Sequence, residues 1–333
     1  MRRIYINDVI MQLAEQYVDD LTNNSRKVLN WRKNDMPKNK LNNFLLFLKD
    51  SYPVHANYVS KIIELYEDIL LLKPSQFQTF HEAHFSEGTQ DMLEKRFSYT
   101  DSNKQFYSYI IDCMRYDAIR SDLMRQYIKE MHIKTCVYCN AQYAITTEEF
   151  IDGDGKKKRM GTYQFDHFMP KSLYPYLCTS FFNLQPSCST CNINKSKNTS
   201  LFNLYTEDKN DVDVFDFKLT PRKAINFYLD TDMSSIEIYL DSNDSHLLEN
   251  HQNLFHIDLL YAQHIDVVQY IIIKSRTYNT TYMKSLQDSL GVLFPDGTDD
   301  PEYFFWGYYM KQEHIHYQPL TKLVQDIVKI ISE

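Results

Sequence analysis

Residues 165–197 read FDHFMPKSLYPYLCTSFFNLQPSCSTCNINKSK. It opens on an Asp-His pair, Asp166-His167, and closes on a Cys-x-x-Cys knuckle, Cys188 and Cys191. A second knuckle, Cys136 and Cys139, lies upstream in a chain of only six cysteines. Two residues between cysteines let one tight turn aim both sulfurs at a single cation, and two such turns complete a tetrahedral four-sulfur shell. The pairs are separated by 48 residues. One structural Zn²⁺ on Cys136, Cys139, Cys188 and Cys191 is expected, closed to substrate and tying together the two ends of the intervening chain. A thioredoxin-like redox reading needs one pair at a strand-to-helix turn and leaves the second pair unexplained. Cys113 and Cys178 have no paired spacing and read as buried thiols.

Between the knuckles, AQYAITTEEF and RMGTYQF flank the turn-forming Asp152-Gly153-Asp154-Gly155 and predict a β-hairpin. A calcium loop is excluded because the terminal Glu is missing. Lys156, Lys157, Lys158 and Arg159 lie near the hairpin tip, where Lys157 is a candidate phosphate contact; Lys171 and Lys195 are two more. Asp166 is a hard oxygen ligand suited to Mg²⁺ or Mn²⁺. His167, with an ordinary pKa near neutrality, can activate water. Adjacent residues on a strand point to opposite sides, so one can take a cation while the other faces the attack path. Asn192 follows the last cysteine, in the first turn of an expected helix whose N-terminus favours phosphate, and offers an amide oxygen as a second ligand.

Cys-x-x-Cys, then Asp-His-x-x-Pro-Lys-Ser, then Asn-Leu-x-Pro-x-Cys-x-x-Cys-Asn-x-x-Lys resembles the HNH (ββα-metal) endonucleases, in particular those of bacterial anti-phage systems of the Septu and retron-associated type. The resemblance spans roughly residues 134–205, about a fifth of the chain. It implies a metal-dependent DNA endonuclease leaving 5′-phosphate and 3′-hydroxyl ends. His167 is then the general base, Asn183 the middle letter that orients the His167 loop, and Asn192 the third letter, a position where many members carry His. Asp166 and Asn192 hold the catalytic Mg²⁺ or Mn²⁺. The competing reading is a zinc-ribbon module that binds nucleic acid or protein without catalysis.

Flanking this stretch, Val9-Leu13-Tyr17-Leu21, Leu41-Phe44-Leu45-Leu48 and Tyr58-Ile62-Leu65-Ile69 recur at helical spacing, punctuated by Pro37, Pro53 and Pro74. Periodicity of the same kind returns in HQNLFHIDLLYAQHIDVVQYIIIKSRTYNTTYMKSL and at Leu320, Leu323, Val324, Ile327, Val328 and Ile331. The expected class is therefore α+β: a helical region 1–130, a zinc-stapled ββα-metal module 131–205, and a mainly helical region 206–333. Only 7 Gly against 26 Tyr and 20 Phe fits a helix-rich protein. No run of apolar residues is long enough to span a membrane, and MRRIYINDVI does not read as a signal peptide, so a cytoplasmic protein is expected. The net charge of −8 argues against a chain that coats DNA unaided. With no G-x-x-x-x-G-K-[ST] loop, any nucleotide-driven control would come from another chain, an ATPase or other sensor subunit of a defence system. A solvated basic loop or a DNA contact is read at Arg26, Lys27, Arg32, Lys33, Lys38 and Lys40. His314 and His316, at i and i+2, do not face each other on a helix and are not read as a metal site.

Overall fold

The computed structural model describes all residues except 24–30, 152, 154–156, 197, 221–235, 279, 290–301 and 333, and only the backbone of Lys157, Lys158, Thr280 and Gln287. Helices dominate the first 130 residues: α1 Asp8–Thr22, α2 Pro37–Ser51, α3 Pro53–Glu64, α4 Tyr66–Leu71, α5 Phe77–His84, α6 Gln90–Glu94, α7 Phe106–Cys113, α8 Tyr116–Ala118 and α9 Met124–Glu130. Pro37 and Pro53 each open a helix, where the missing N–H has no intrahelical partner to lose. The Asn7 side chain caps α1 by accepting from Ile10 N. The apolar run from Val9 to Leu21 does not lie on one buried line. Steps of four advance about 40° past a full turn, so the stripe drifts. Tyr17 and Leu21 are buried with Ala14 and Val18, while Val9 is 63% exposed. The expected run from Tyr58 to Ile69 is split between α3 and α4 at Leu65.

Among the described residues the strands are short: β1 Ile4–Tyr5, β2 Arg96–Tyr99, β3 Ser102–Gln105, β4 Phe150–Ile151, β5 Lys157–Lys158, β6 Gln164–His167, β7 Leu184–Ser187, β8 Tyr205–Thr206, β9 Asp216–Leu219 and β10 Ile238–Asp241. They form five separate pairs, of which β1–β8 is parallel and the rest antiparallel. The hairpin before the Asp-His pair is shorter than its sequence suggests. It consists of β4–β5 and a single bridge from Thr146 to Gly161. Asp152, Asp154, Gly155 and Lys156 at its tip lie outside the described residues, as does the side chain of Lys157. Gln164 and Phe165 leave the hairpin and enter β6, which pairs with β7. A seven-residue helix, α10 Ser189–Lys195, comes directly after β7.

The C-terminal apolar run is not one helix. His256, at φ 50°, ends Ser245–Phe255 and begins Ile257–Tyr261; Ile265–Thr277 and Thr280–Ser289 follow, and Thr321–Ser332 closes the chain. One hydrophobic core runs from Met1 to Val328. Within it Phe85 stacks on Tyr176 at 4.0 Å and Phe255 on Tyr138 at 4.5 Å. Tyr17 OH donates to Thr179 O at 2.8 Å. The residues between the knuckles are thus roofed by both flanks. Among the described residues, no helix is long and apolar enough to cross a membrane.

Candidate active site and metal centre

The four knuckle cysteines converge. Cys136, Cys139, Cys188 and Cys191 are buried, and their sulfurs all lie within 4.8 Å of one another. Ligand sulfurs around a zinc at 2.3 Å sit about 3.8 Å apart, so the cluster fits a small cation with little adjustment. As thiolates without a cation between them the four would repel. The group could hold a metal ion such as zinc. Both ends of the cluster are fixed by local structure. Cys188 caps α10, its sulfur accepting from Cys191 N. Cys139 is followed by Asn140 at φ 50°, a conformation Asn tolerates better than most residues. The fully buried Asn140 amide donates to Thr135 Oγ1 and Ile315 O and accepts from Lys322 N, which pins the knuckle to the C-terminal segment. Cys113 and Cys178 are buried away from this cluster, and burial pushes the Cys113 thiol up to about 12.

Strand β6 carries Asp166 and His167, helix α10 carries Asn192 and Lys195, Lys171 lies in the loop after β6, and Asn183 ends the 3-10 turn before β7. The register sets Asp166 opposite Gln185 and His167 opposite Leu184. Asp166, His167, Lys171, Asn192 and Lys195 line one cavity of about 480 Å³.

His167 is 5% exposed, and its Nε2 lies 3.0 Å from the carbonyl of Cys178. A carbonyl only accepts, so Nε2 carries the proton and Nδ1 keeps its lone pair. Nδ1 has no hydrogen-bond partner among the described residues. Burial, with the Lys171 ammonium nearby, pushes the imidazole pKa down to about 3. The expected titration near neutrality is therefore displaced, because desolvation penalises the charged ring. The Tyr116 ring packs against the imidazole at 4.9 Å and takes Lys171 Nζ over its face at 4.5 Å. Arg120 lies over the same ring at 5.5 Å. Arg115 at φ 61° turns the chain into α8, which carries Tyr116, and the π-helical turn Ile119–Leu123 that follows carries Arg120.

Asp166 is 7% exposed and doubly held. Lys195 Nζ reaches its two oxygens at 3.2 and 3.1 Å, and Tyr138 OH donates to Oδ2. Lys195 is itself 1% exposed and also donates to His167 O at 2.8 Å. Gln185 Nε2 donates to Tyr138 OH at 3.1 Å while its Oε1 accepts from Leu204 N. Tyr138 lies between Cys136 and Cys139 in the chain, so its hydrogen bond ties the carboxylate to the first knuckle. Burial raises the Asp166 pKa above the ordinary carboxylate value, against the lowering effects of Lys195 and Tyr138.

Asn183 is fully buried and fastens the loop that leaves His167. Its Oδ1 accepts from Met169 N at 2.7 Å, and Nδ2 donates to Met169 O at 3.2 Å and Leu177 O at 2.9 Å. Asn192 is half-buried; its Nδ2 donates to Gln164 Oε1, and its Oδ1 has no partner among the described residues. Asp166 and Asn192 thus put hard oxygen donors on one cavity, the donor chemistry a divalent cation takes. The fit is in donor type; the carboxylate is already paired with an ammonium. Three other basic candidates are engaged elsewhere, while Arg32 and Lys33 are exposed. Arg159 pairs with Asp122 at 2.6 Å, Lys38 with Glu67 at 3.0 Å, and Lys40 with Asp35 at 3.8 Å. Arg26 and Lys27 lie outside the described residues. His316 is buried on Arg2 O and His314 stacks on Tyr317.

Tyr116, Arg120, Tyr138 and Gln185 belong to this site and were not singled out in the sequence. No family model matches the chain, and neither a curated protein nor a solved structure matches it.

Proposed function

We propose that the chain is a metal-dependent endonuclease of the HNH type that hydrolyses DNA phosphodiester bonds, with a structural zinc on the four cysteines. The observation that carries this reading is the convergence of Asp166, His167, Asn192 and two lysines on one cavity, built by an antiparallel strand pair and the helix that follows it. His167 Nδ1 is the base. The Cys178 carbonyl fixes its tautomer, and the depressed pKa leaves it unprotonated at ordinary pH. It accepts the proton of a water whose oxygen attacks phosphorus opposite the departing 3′ oxygen, leaving 5′-phosphate and 3′-hydroxyl ends. Entry of a phosphate anion offsets part of the burial that makes this imidazole a weak base. Lys171 and Lys195 hold the phosphate, and Asn183 holds the His167 loop in place. Asp166 and Asn192 would hold Mg²⁺ or Mn²⁺, which when bound supplies Lewis-acid neutralisation of charge on the leaving oxygen. In this reading the chain is the effector of an anti-phage system, governed by a separate ATPase or sensor chain.

One observation favours the non-catalytic alternative, a zinc-stapled interaction module: the Asp166 charge is already neutralised by Lys195. Supercoiled plasmid incubated with the zinc-loaded protein and Mg²⁺ or Mn²⁺ separates the two. Metal-dependent nicking or linearisation supports the nuclease; an intact plasmid under every metal rejects it.

A further inference from the structure

Asp166 is the single carboxylate lining the cavity among the described residues. Against it stand two ammonium groups, Lys171 and Lys195, and a neutral imidazole. The lining is therefore cationic before any ligand enters. A divalent cation approaching Asp166 meets a carboxylate whose two oxygens already accept from a buried ammonium. A phosphodiester meets the opposite situation. It brings negative charge to a cationic wall, offers Lys195 a second acceptor, and supplies oxygens to the cation, which such ions commonly take from substrate phosphate beside one or two carboxylates.

We propose that Lys195 gates the divalent-cation site, so that cation and phosphodiester bind as a coupled pair and the Lys195 ammonium passes from Asp166 to the phosphate as the cation takes the carboxylate. This rests on the nuclease reading for the identity of the anion. Lys195 ends α10, one turn beyond Asn192, and already lines the cavity. Its four-carbon stem carries the ammonium between the two acceptors by rotamer changes alone. Its contact with the His167 carbonyl gives it a fixed starting point.

The test is Mn²⁺ binding by the zinc-loaded full chain, read by electron paramagnetic resonance of the free ion. It is run with protein alone and with a cleavage-resistant phosphorothioate duplex. Asp166→Ala, with and without duplex, sets the background at each step. The wild type should bind Mn²⁺ weakly alone, and the duplex should tighten the Asp166-dependent binding by about 5- to 150-fold, the usual span of coupling between two sites. Lys195→Met should bind Mn²⁺ tightly without duplex and gain little from it. Equal Mn²⁺ affinity with and without duplex in the wild type overturns the proposal, as does the absence of Asp166-dependent binding in every arm. If Lys195→Met fails to fold, Lys195→Gln takes its place; a folded variant that keeps the wild-type gain from duplex overturns the gate. Plasmid cleavage judges the nuclease reading separately. Coupled binding without cleavage leaves the gate standing and removes the nuclease, whereas cleavage without coupling does the reverse.

Discussion

Replacing Asn183 by Ala tests how the His167 loop is held. The side chain is fully buried and satisfies three backbone groups: Met169 N–H, Met169 C=O and Leu177 C=O. Leu177 O also accepts from Ser180 N at 3.2 Å, so it retains a partner in the variant. Both polar groups of Met169 lose the only partner described for them. A buried group left unsatisfied costs about 1–3 kcal/mol, with N–H at the upper end because it has no second site. Two such groups and the small void left by the amide together amount to about 3–5 kcal/mol. Urea unfolding of the zinc-loaded wild type and Asn183→Ala reads the total, and hydrogen exchange at the Met169 amide reads the local effect. A loss under about 1 kcal/mol, the size of one ordinary hydrogen bond, with Met169 still protected, would refute the assignment of Asn183 as the clasp of this loop.

Cys188→Ser should lose the bound zinc and unfold at much lower urea, because metal affinity in such sites is folding energy; elemental analysis showing full zinc content in the variant contradicts it. Tyr138→Phe removes the donor to Asp166 without touching a sulfur. It should retain zinc and lose about 1.5–3 kcal/mol, the range for a hydrogen bond to a charged group, and an unchanged urea midpoint would count against that link. Burial pushes His167, His251 and His316 down to about 3, against an ordinary value near 6.5. Below about 6.5 the unfolded chain takes up protons that the folded chain refuses until about 3. Stability is therefore full above that window and falls as pH drops through it, by up to about 1.4 kcal/mol per pH unit for each histidine. A urea midpoint that stays level from pH 7 to pH 4 contradicts the burial of these rings as neutral imidazoles.

The local signals in the sequence carried far. Proline marked the starts of α2 and α3 because its missing N–H is harmless only there. The doubled knuckle placed four cysteines in one cluster because sulfur spacing is set by turn geometry. What the sequence hid depends on contacts between distant segments. Tyr138 lies between the two cysteines of a knuckle, and nothing local marks it as the partner of a carboxylate 28 residues later. Tyr116 reaches His167 from a three-residue helix that opens on the left-handed Arg115, an irregularity that no periodicity reveals. A lysine at the end of a short helix is normally solvated; Lys195 is buried because β6 presents a carboxylate and a carbonyl to it at once. The β9–β10 pair was missed because the acidic run before β9 masks a modest alternation and its partner strand lies nearly twenty residues on.

The central claim is that His167 is the base of a phosphodiester hydrolysis. It is tested most directly by single-turnover cleavage of a DNA duplex at saturating Mg²⁺ or Mn²⁺, comparing the wild type with His167→Ala after both are shown to hold zinc and fold. Loss of a positioned base costs about 10²- to 10⁴-fold. The account predicts a drop of that size. Cleavage by the variant at the wild-type rate would contradict it.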